Sequence, residues 1–75
     1  MEITSKIIKT MQSYQTIKLA QFLKWKKLVN SGGEAKIKIQ GKEVLLNGNV
    51  EIQRGKKLVT GDIVTFNEVE YKVLL

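Results

Sequence analysis

The chain contains neither cysteine nor histidine, and this absence constrains its fold more than any other feature of the sequence. Disulfide bonds, zinc sites built on cysteine and histidine, and imidazole acid/base chemistry are all excluded. Because the chain has only 75 residues, we expect it to bury about 60% of the surface that its unfolded form exposes. We therefore predict one small domain that apolar packing alone stabilises.

The composition is typical of a folded protein rather than a disordered one. Hydrophobic residues make up 43% of the chain, charged residues make up 27%, and proline is absent. No run approaches the roughly 18 consecutive apolar residues of a membrane span. Residues 1–10 lack the apolar core and cleavage site of a signal peptide. We therefore expect a cytoplasmic protein that has no membrane partner.

The positive charge is concentrated in one third of the sequence. The net charge of the chain is +6. Residues 18–42 alone carry +6, because they contain seven lysines and a single acidic residue, Glu34. Residues 43–62 are neutral, and residues 63–75 carry −1. A one-sided basic surface attracts polyanions by releasing their counterions, and this is the interpretation we favour. A solvated lysine surface that mainly confers solubility is the alternative.

Residues 1–27 combine a β-rich segment with a helical one. The composition of residues 6–16 predicts a strand. A helix is predicted from Lys18 to Lys27, because apolar residues recur there at helical spacing. Lys26 falls nearly on this apolar stripe, so either the helix ends near Trp25 or the lysine side chain passes the edge of the core. The stripe consists of Leu19, Phe22 and Leu23.

The segment that follows carries two conflicting local signals. Ser31 and Glu34 form the S-x-x-E pattern of a capping box, in which the hydroxyl accepts the Glu34 amide proton and the carboxylate reaches back to the Ser31 amide. A helix should therefore begin there. Residues 35–40, however, alternate between apolar and polar side chains, which is the period of a half-buried strand. In a helix, Ile37 would lie on the side away from the core.

The C-terminal half carries only β signals, namely short apolar runs separated by turn residues. Asn47-Gly48 adopts positive φ readily and marks a tight turn. The predicted elements are, in order, a strand at 44–46, an alternating segment at 50–52, a basic loop at 53–57, a turn at 60–62, and two strands at 63–66 and 69–73 that pair as a hairpin.

Five short motifs occur in a fixed order along most of the chain. They are L-x-Q-F-L-K from Leu19, S-G-G-E-A-K from Ser31, V-L-L-N-G from Val44, R-G-K-K-L from Arg54 and G-D-I-V from Gly61. No single motif is specific, but five matches in register rarely arise by chance. Together they resemble the S4 RNA-binding domain, particularly its small stand-alone branch of YaaA-like proteins.

The resemblance implies an α+β fold in which two short helices, the αL motif, pack on a small, mostly antiparallel sheet. Residues 1–75 would then form a single domain, and residues 34–40 would be helical. Two departures from the family pattern stand out. Many members have an arginine where this chain has Gly32, and the glycine that usually precedes the V-x-V-N-G strand is one place early, at Gly41.

The family generally binds structured RNA of ribosomal or tRNA type through basic residues on the helix pair and the neighbouring loop. The resemblance implies this partner for our chain, with a ribosomal particle as a candidate setting. The positions that correspond to the basic residues of the family are Lys24, Lys36, Arg54, Lys56 and Lys57.

The residues themselves support phosphate binding at further positions. Three cations around Gly55 suit phosphate contacts, although a solvated loop is the alternative. Glycines at a helix start would let a phosphate approach bare amides. Because Glu34 places a negative charge in the same turn, however, a purely structural cap with a tight turn is the interpretation we favour for them. The full set of predicted RNA-binding residues is Lys24, Lys27, Gly32, Gly33, Lys36, Arg54, Lys56 and Lys57.

Trp25 has two interpretations. Its position next to the apolar stripe predicts a packing residue in the core. Stacking on an unpaired base is the alternative. A second hypothesis for the whole chain, from another functional class, is a protein-interaction adaptor that uses an exposed apolar patch around Trp25, Leu28 and Val29.

Nothing in the sequence indicates catalysis. The one aspartate, Asp62, lies in a predicted turn, no two carboxylates have the spacing of an acid/base pair, and no nucleophile has a neighbouring base. We therefore expect a non-enzymatic protein that has no cofactor, no bound metal and no small-molecule substrate.

Overall fold

The computed structural model describes residues 15–75. Most of the strand predicted at 6–16 lies outside the described residues, and residues 15 and 16 are not in a strand. Within the described range there are two helices, α1 (Leu19–Trp25) and α2 (Gly32–Gln40). The strands are β1 (Ile17–Lys18), β2 (Val44–Leu46), β3 (Asn49–Val50), β4 (Lys57–Leu58), β5 (Ile63–Phe66) and β6 (Val69–Lys72).

The strands pair in two antiparallel sheets. The smaller sheet joins β1 to β4, and the larger has the order β3-β2-β5-β6. The predicted hairpin is confirmed, since β5 and β6 pair from Ile63 opposite Lys72 to Phe66 opposite Val69. The α+β class, with two short helices and antiparallel pairing, is therefore confirmed, although the strands are divided between two sheets.

Helix α1 ends earlier than its apolar spacing predicted. Its last residue is Trp25 rather than Lys27, and Lys27 has a left-handed backbone with φ of 60°. The amide of Leu28 donates to the carbonyl oxygen of Leu23 (2.9 Å), and the amide of Lys27 donates to that of Lys24 (2.9 Å). This pair of hydrogen bonds is a Schellman motif. The alternative in which the helix ends near Trp25 is therefore correct.

Helix α2 resolves the conflict between the cap and the alternation in favour of the cap. The Ser31 hydroxyl accepts a hydrogen bond from the Glu34 amide (3.1 Å), as predicted. The Glu34 carboxylate accepts from the amide of Asn30 (2.8 Å), whereas the sequence predicted the amide of Ser31. Ile37 is 68% exposed, as a helix requires. The inward positions of α2 are Ala35 and Ile39, both fully buried.

A second Schellman motif ends α2 and explains the early glycine. The amide of Lys42 donates to the carbonyl oxygen of Ile39 (3.0 Å), and the amide of Glu43 donates to that of Lys38 (3.1 Å). Lys42, with φ of 65°, takes the left-handed position that glycine usually fills. Gly41 is needed one place earlier, because a Cβ there would lie 2.9 Å from the carbonyl oxygen of Ile37.

The core lies where the helices, β4 and the larger sheet meet. The turn predicted at Asn47-Gly48 is confirmed, with φ values of 52° and 87°. The alternation at 50–52 does not extend a strand into the core, because Val50 and Ile52 are 50% and 53% exposed. The buried apolar residues are Leu19, Phe22, Leu23, Val29, Ala35, Ile39, Val44, Leu46, Leu58, Val64, Phe66 and Val73.

Neither helix in residues 15–75 is a candidate membrane span. The longer one, α2, has nine residues, whereas a span needs about 20.

Candidate nucleic-acid interface

The basic loop at 53–57 is attached to the start of α1 by main-chain hydrogen bonds. The amide of Leu19 donates to the carbonyl oxygen of Lys56 (2.9 Å), and the amide of Ala20 donates to that of Arg54 (3.0 Å). The first amides of a helix have no acceptor within the helix, so these loop carbonyls satisfy them. Arg54 and Lys56 are thereby fixed beside α1, with their side chains exposed.

The small sheet adds two further cations at the same place. Lys18 of β1 lies directly opposite Lys57 of β4, and both side chains are exposed. The next pair, Ile17 and Leu58, anchors the sheet, since Leu58 is fully buried. Directly opposed residues in antiparallel strands have neighbouring side chains, and like charges there repel each other. A bound phosphate would relieve this repulsion.

Lys18 was missed by sequence reasoning. It belongs to the basic segment 18–42, but nothing in that segment shows that it faces Lys57. The pairing involves strands of two residues each, which are too short to carry a periodic signal.

The helices contribute the remaining predicted lysines. Lys24 is exposed on α1, and Lys36 is exposed on α2 beside the buried face formed by Ala35 and Ile39. Lys27 is exposed in the Schellman turn that follows α1. The structure therefore brings the Arg54 to Lys57 loop together with α1 through hydrogen bonds. Among residues 15–75, no hydrogen bond or ion pair joins Lys36 to that loop.

The acidic side chains of residues 15–75 form no ion pair with these cations. Within the described part of the chain, the ion pair present joins Lys38 Nζ to Glu43 Oε1 at 3.5 Å. Glu34 accepts from Asn30, and Asp62 accepts from the amide of Val59 (2.9 Å). No carboxylate of residues 15–75 forms an ion pair with any of Lys18, Lys24, Lys27, Lys36, Arg54, Lys56 and Lys57.

The two glycines at the start of α2 are not required by packing. A Cβ added at Gly32 would meet nothing within 4 Å, and one at Gly33 would lie 3.8 Å from the Ser31 hydroxyl oxygen. Neither residue has a positive φ. The first turn of α2 is thus left without side chains at two exposed positions, although the Glu34 carboxylate lies in the same turn.

The prediction that Trp25 packs in the core is wrong. The side chain is 54% exposed and touches Phe22 edge to face, with ring centroids 6.1 Å apart. Trp25 follows Phe22 by three positions and therefore lies at the edge of the apolar stripe, where the helix ends.

The apolar patch predicted for an adaptor is also not formed. Val29 is only 5% exposed, and Leu28 is half-buried against the core. Of the three predicted residues, Trp25 alone presents a large surface. Residues 15–75 also contain no group of three or more acidic side chains that could hold a metal ion.

Comparison with known proteins identifies the family. The model of a family described as the S4 domain matches residues 10–74, a range that includes every candidate interface residue. The probable ribosome maturation protein RlbA of Bacillus subtilis (strain 168) is 44% identical over 50 residues, which cover 67% of our chain and 70% of that protein. The chain therefore belongs to the S4 domain family.

Proposed function

We propose that this chain is a non-catalytic RNA-binding module that docks a basic helical face and loop on structured RNA of ribosomal or tRNA-like type. In this proposal residues 1–75 act as one domain, in the cytoplasm. The observation that carries it is the attachment of the basic loop to α1. Main-chain bonds from Leu19 and Ala20 hold Arg54 and Lys56 beside the Lys18–Lys57 pair.

The interface residues have distinct roles in the proposal. The guanidinium of Arg54 has the planar fork that engages a phosphate through two hydrogen bonds. Lys18, Lys56 and Lys57 act as point charges. The small sheet fixes Lys18 and Lys57, and the hydrogen bond from the Leu19 amide fixes the backbone of Lys56. Lys24, Lys27 and Lys36 extend the positive surface along the helices. The exposed amides of Gly32 and Gly33 provide a place where a phosphate approaches backbone.

This arrangement favours recognition of RNA shape over recognition of sequence. Contacts to phosphates fix the position and orientation of a protein on a nucleic acid but carry no direct sequence information. The fold of a structured RNA sets the spacing of its phosphates. A rigid cationic surface therefore distinguishes such an RNA from polyanions with other phosphate spacings. The family membership and the name of the Bacillus subtilis relative support a ribosomal particle as the setting.

Binding of a folded ribosomal RNA fragment at a series of salt concentrations tests the proposal. The logarithm of the association constant should fall linearly with the logarithm of the salt concentration. Replacing Arg54, Lys56 and Lys57 together by alanine should weaken binding and reduce the slope by about 3, or about 1 for each lost phosphate contact.

Lys72→Ala is the matched control, because Lys72 is an exposed lysine on β6, in the other sheet. It should leave both the affinity and the slope close to those of the unmodified protein. Absence of RNA binding at low salt, or an unchanged slope in the triple variant, would contradict the proposal.

A further inference from the structure

Trp25 is an exposed aromatic side chain that takes no part in the proposed phosphate contacts. It is 54% exposed, although the neighbouring Phe22 and Leu23 are fully buried. Its ring contacts Phe22 at an interplanar angle of 71°, and it is therefore supported from one side by the core. A supported ring that is more than half exposed is suited to stacking on the face that Lys26 leaves uncovered.

Trp25 forms one wall of an open groove whose lining fits a nucleobase. A base has apolar faces and hydrogen-bonding edges, and the groove provides partners for both. The indole ring of Trp25 and the aliphatic side chains of Ile17 and Leu75 supply apolar surface, and Gln15 and Thr16 supply an amide and a hydroxyl.

The charges around the groove favour a nucleotide over an apolar peptide. The ammonium group of Lys26 lies over the Trp25 ring, 5.1 Å from its centroid, and therefore covers one face of the ring. Lys24 and Lys27, which precede and follow Trp25 and Lys26 in the sequence, are also exposed. Lys18 follows the groove residue Ile17 in β1, and because successive side chains of a strand point to opposite faces, it lies on the other face of the small sheet, paired with Lys57. A base in the groove would thus have the Lys26 ammonium group close by for a phosphate.

We propose that Trp25 stacks on an unpaired RNA base held in this groove, with Lys26 near a flanking phosphate. This inference rests on the proposed function and makes it more specific. The preferred RNA then has a bulge or a loop beside its paired region, because only an unpaired base is free to enter the groove.

The test compares two RNAs that share the same stem, one with an unpaired bulge and one fully paired. Trp25 is the one tryptophan of the chain, so its fluorescence reports on this residue alone. We expect the bulged RNA to quench the fluorescence and to bind more tightly than the paired one. Stacking of one base on an aromatic side chain corresponds to about 5- to 140-fold in affinity.

Two substitutions separate stacking from burial of apolar surface. Trp25→Leu keeps an apolar side chain but removes the aromatic face, and it should lose most of the preference for the bulged RNA. Trp25→Phe keeps an aromatic face and should retain most of that preference. Because Trp25 lies outside the core, both variants should fold, which the urea unfolding midpoint checks.

Each outcome is decisive. Equal affinity of Trp25→Leu and the unmodified protein for the bulged RNA, or equal binding of both RNAs without quenching, would overturn the stacking proposal alone. Quenching by an apolar peptide but by neither RNA would assign the groove to a protein partner and also overturn it. Failure to bind either RNA at low salt would overturn the proposed function as well.

Discussion

At the scale of single residues, two lysines occupy a backbone conformation that glycine usually fills. Lys27 and Lys42 follow the ends of α1 and α2, with φ of 60° and 65°. A side chain in this conformation costs about 1 kcal/mol, because its Cβ crowds the backbone. In the proposed function Lys27 contacts a phosphate, and that contact would offset the cost at this position.

Replacing either lysine by glycine should separate stability from binding. Lys27→Gly and Lys42→Gly should each raise the free energy of unfolding by about 1 kcal/mol in urea, because both relieve the same strain. Lys27→Gly should also weaken RNA binding severalfold. Lys42→Gly is its matched control and should bind normally. An equal loss of affinity in both variants would remove Lys27 from the specific interface.

At the scale of elements, substitutions at the start of α2 should raise the stability of the protein and lower its affinity for RNA. Nothing in the packing prevents a methyl group at Gly32 or Gly33. Because alanine has the higher helix propensity and lowers the entropy of the unfolded chain, either Gly→Ala substitution should stabilise the protein by about 0.5 kcal/mol. It should nevertheless weaken RNA binding, since the methyl groups would hold a phosphate away from the amides.

Thermal unfolding and RNA binding of the same variants check this prediction. Gln40→Ala is a suitable control, because Gln40 is exposed at the opposite end of α2. It changes helix propensity without altering the first turn, and should leave affinity unchanged. Unchanged RNA binding by both glycine variants would show that the pair serves only the local structure.

The elements also show which parts of the fold were predictable from sequence. The alternation at 35–40 could not distinguish a strand from a helix, whereas the Ser31 cap and the family resemblance could. The exposure of Trp25 could not be predicted, because it depends on where α1 ends. That end is set by main-chain hydrogen bonds from Lys27 and Leu28. The usual sequence marker of such an end is a glycine in the left-handed position, but this chain has Lys27 there.

At the scale of the whole molecule, charges that are far apart in sequence meet through tertiary contacts. Sequence identified the basic segment at 18–42 and the basic loop at 53–57 separately. In residues 15–75 they are joined by the pairing of β1 with β4 and by hydrogen bonds from the first amides of α1. The register of such short strands depends on the burial of Leu58, and therefore on the assembled core. The roles of the individual cations stay predictions.

Amide chemical shifts recorded during a titration with structured RNA test the shared surface most directly. We predict the largest changes at Lys18, Lys24 and Lys36, at residues 54–57, and at the amides of Leu19 and Ala20 that are bonded to the loop. The β5–β6 hairpin should change little. Changes concentrated on that hairpin, or confined to one of the basic segments, would contradict a single RNA-binding face.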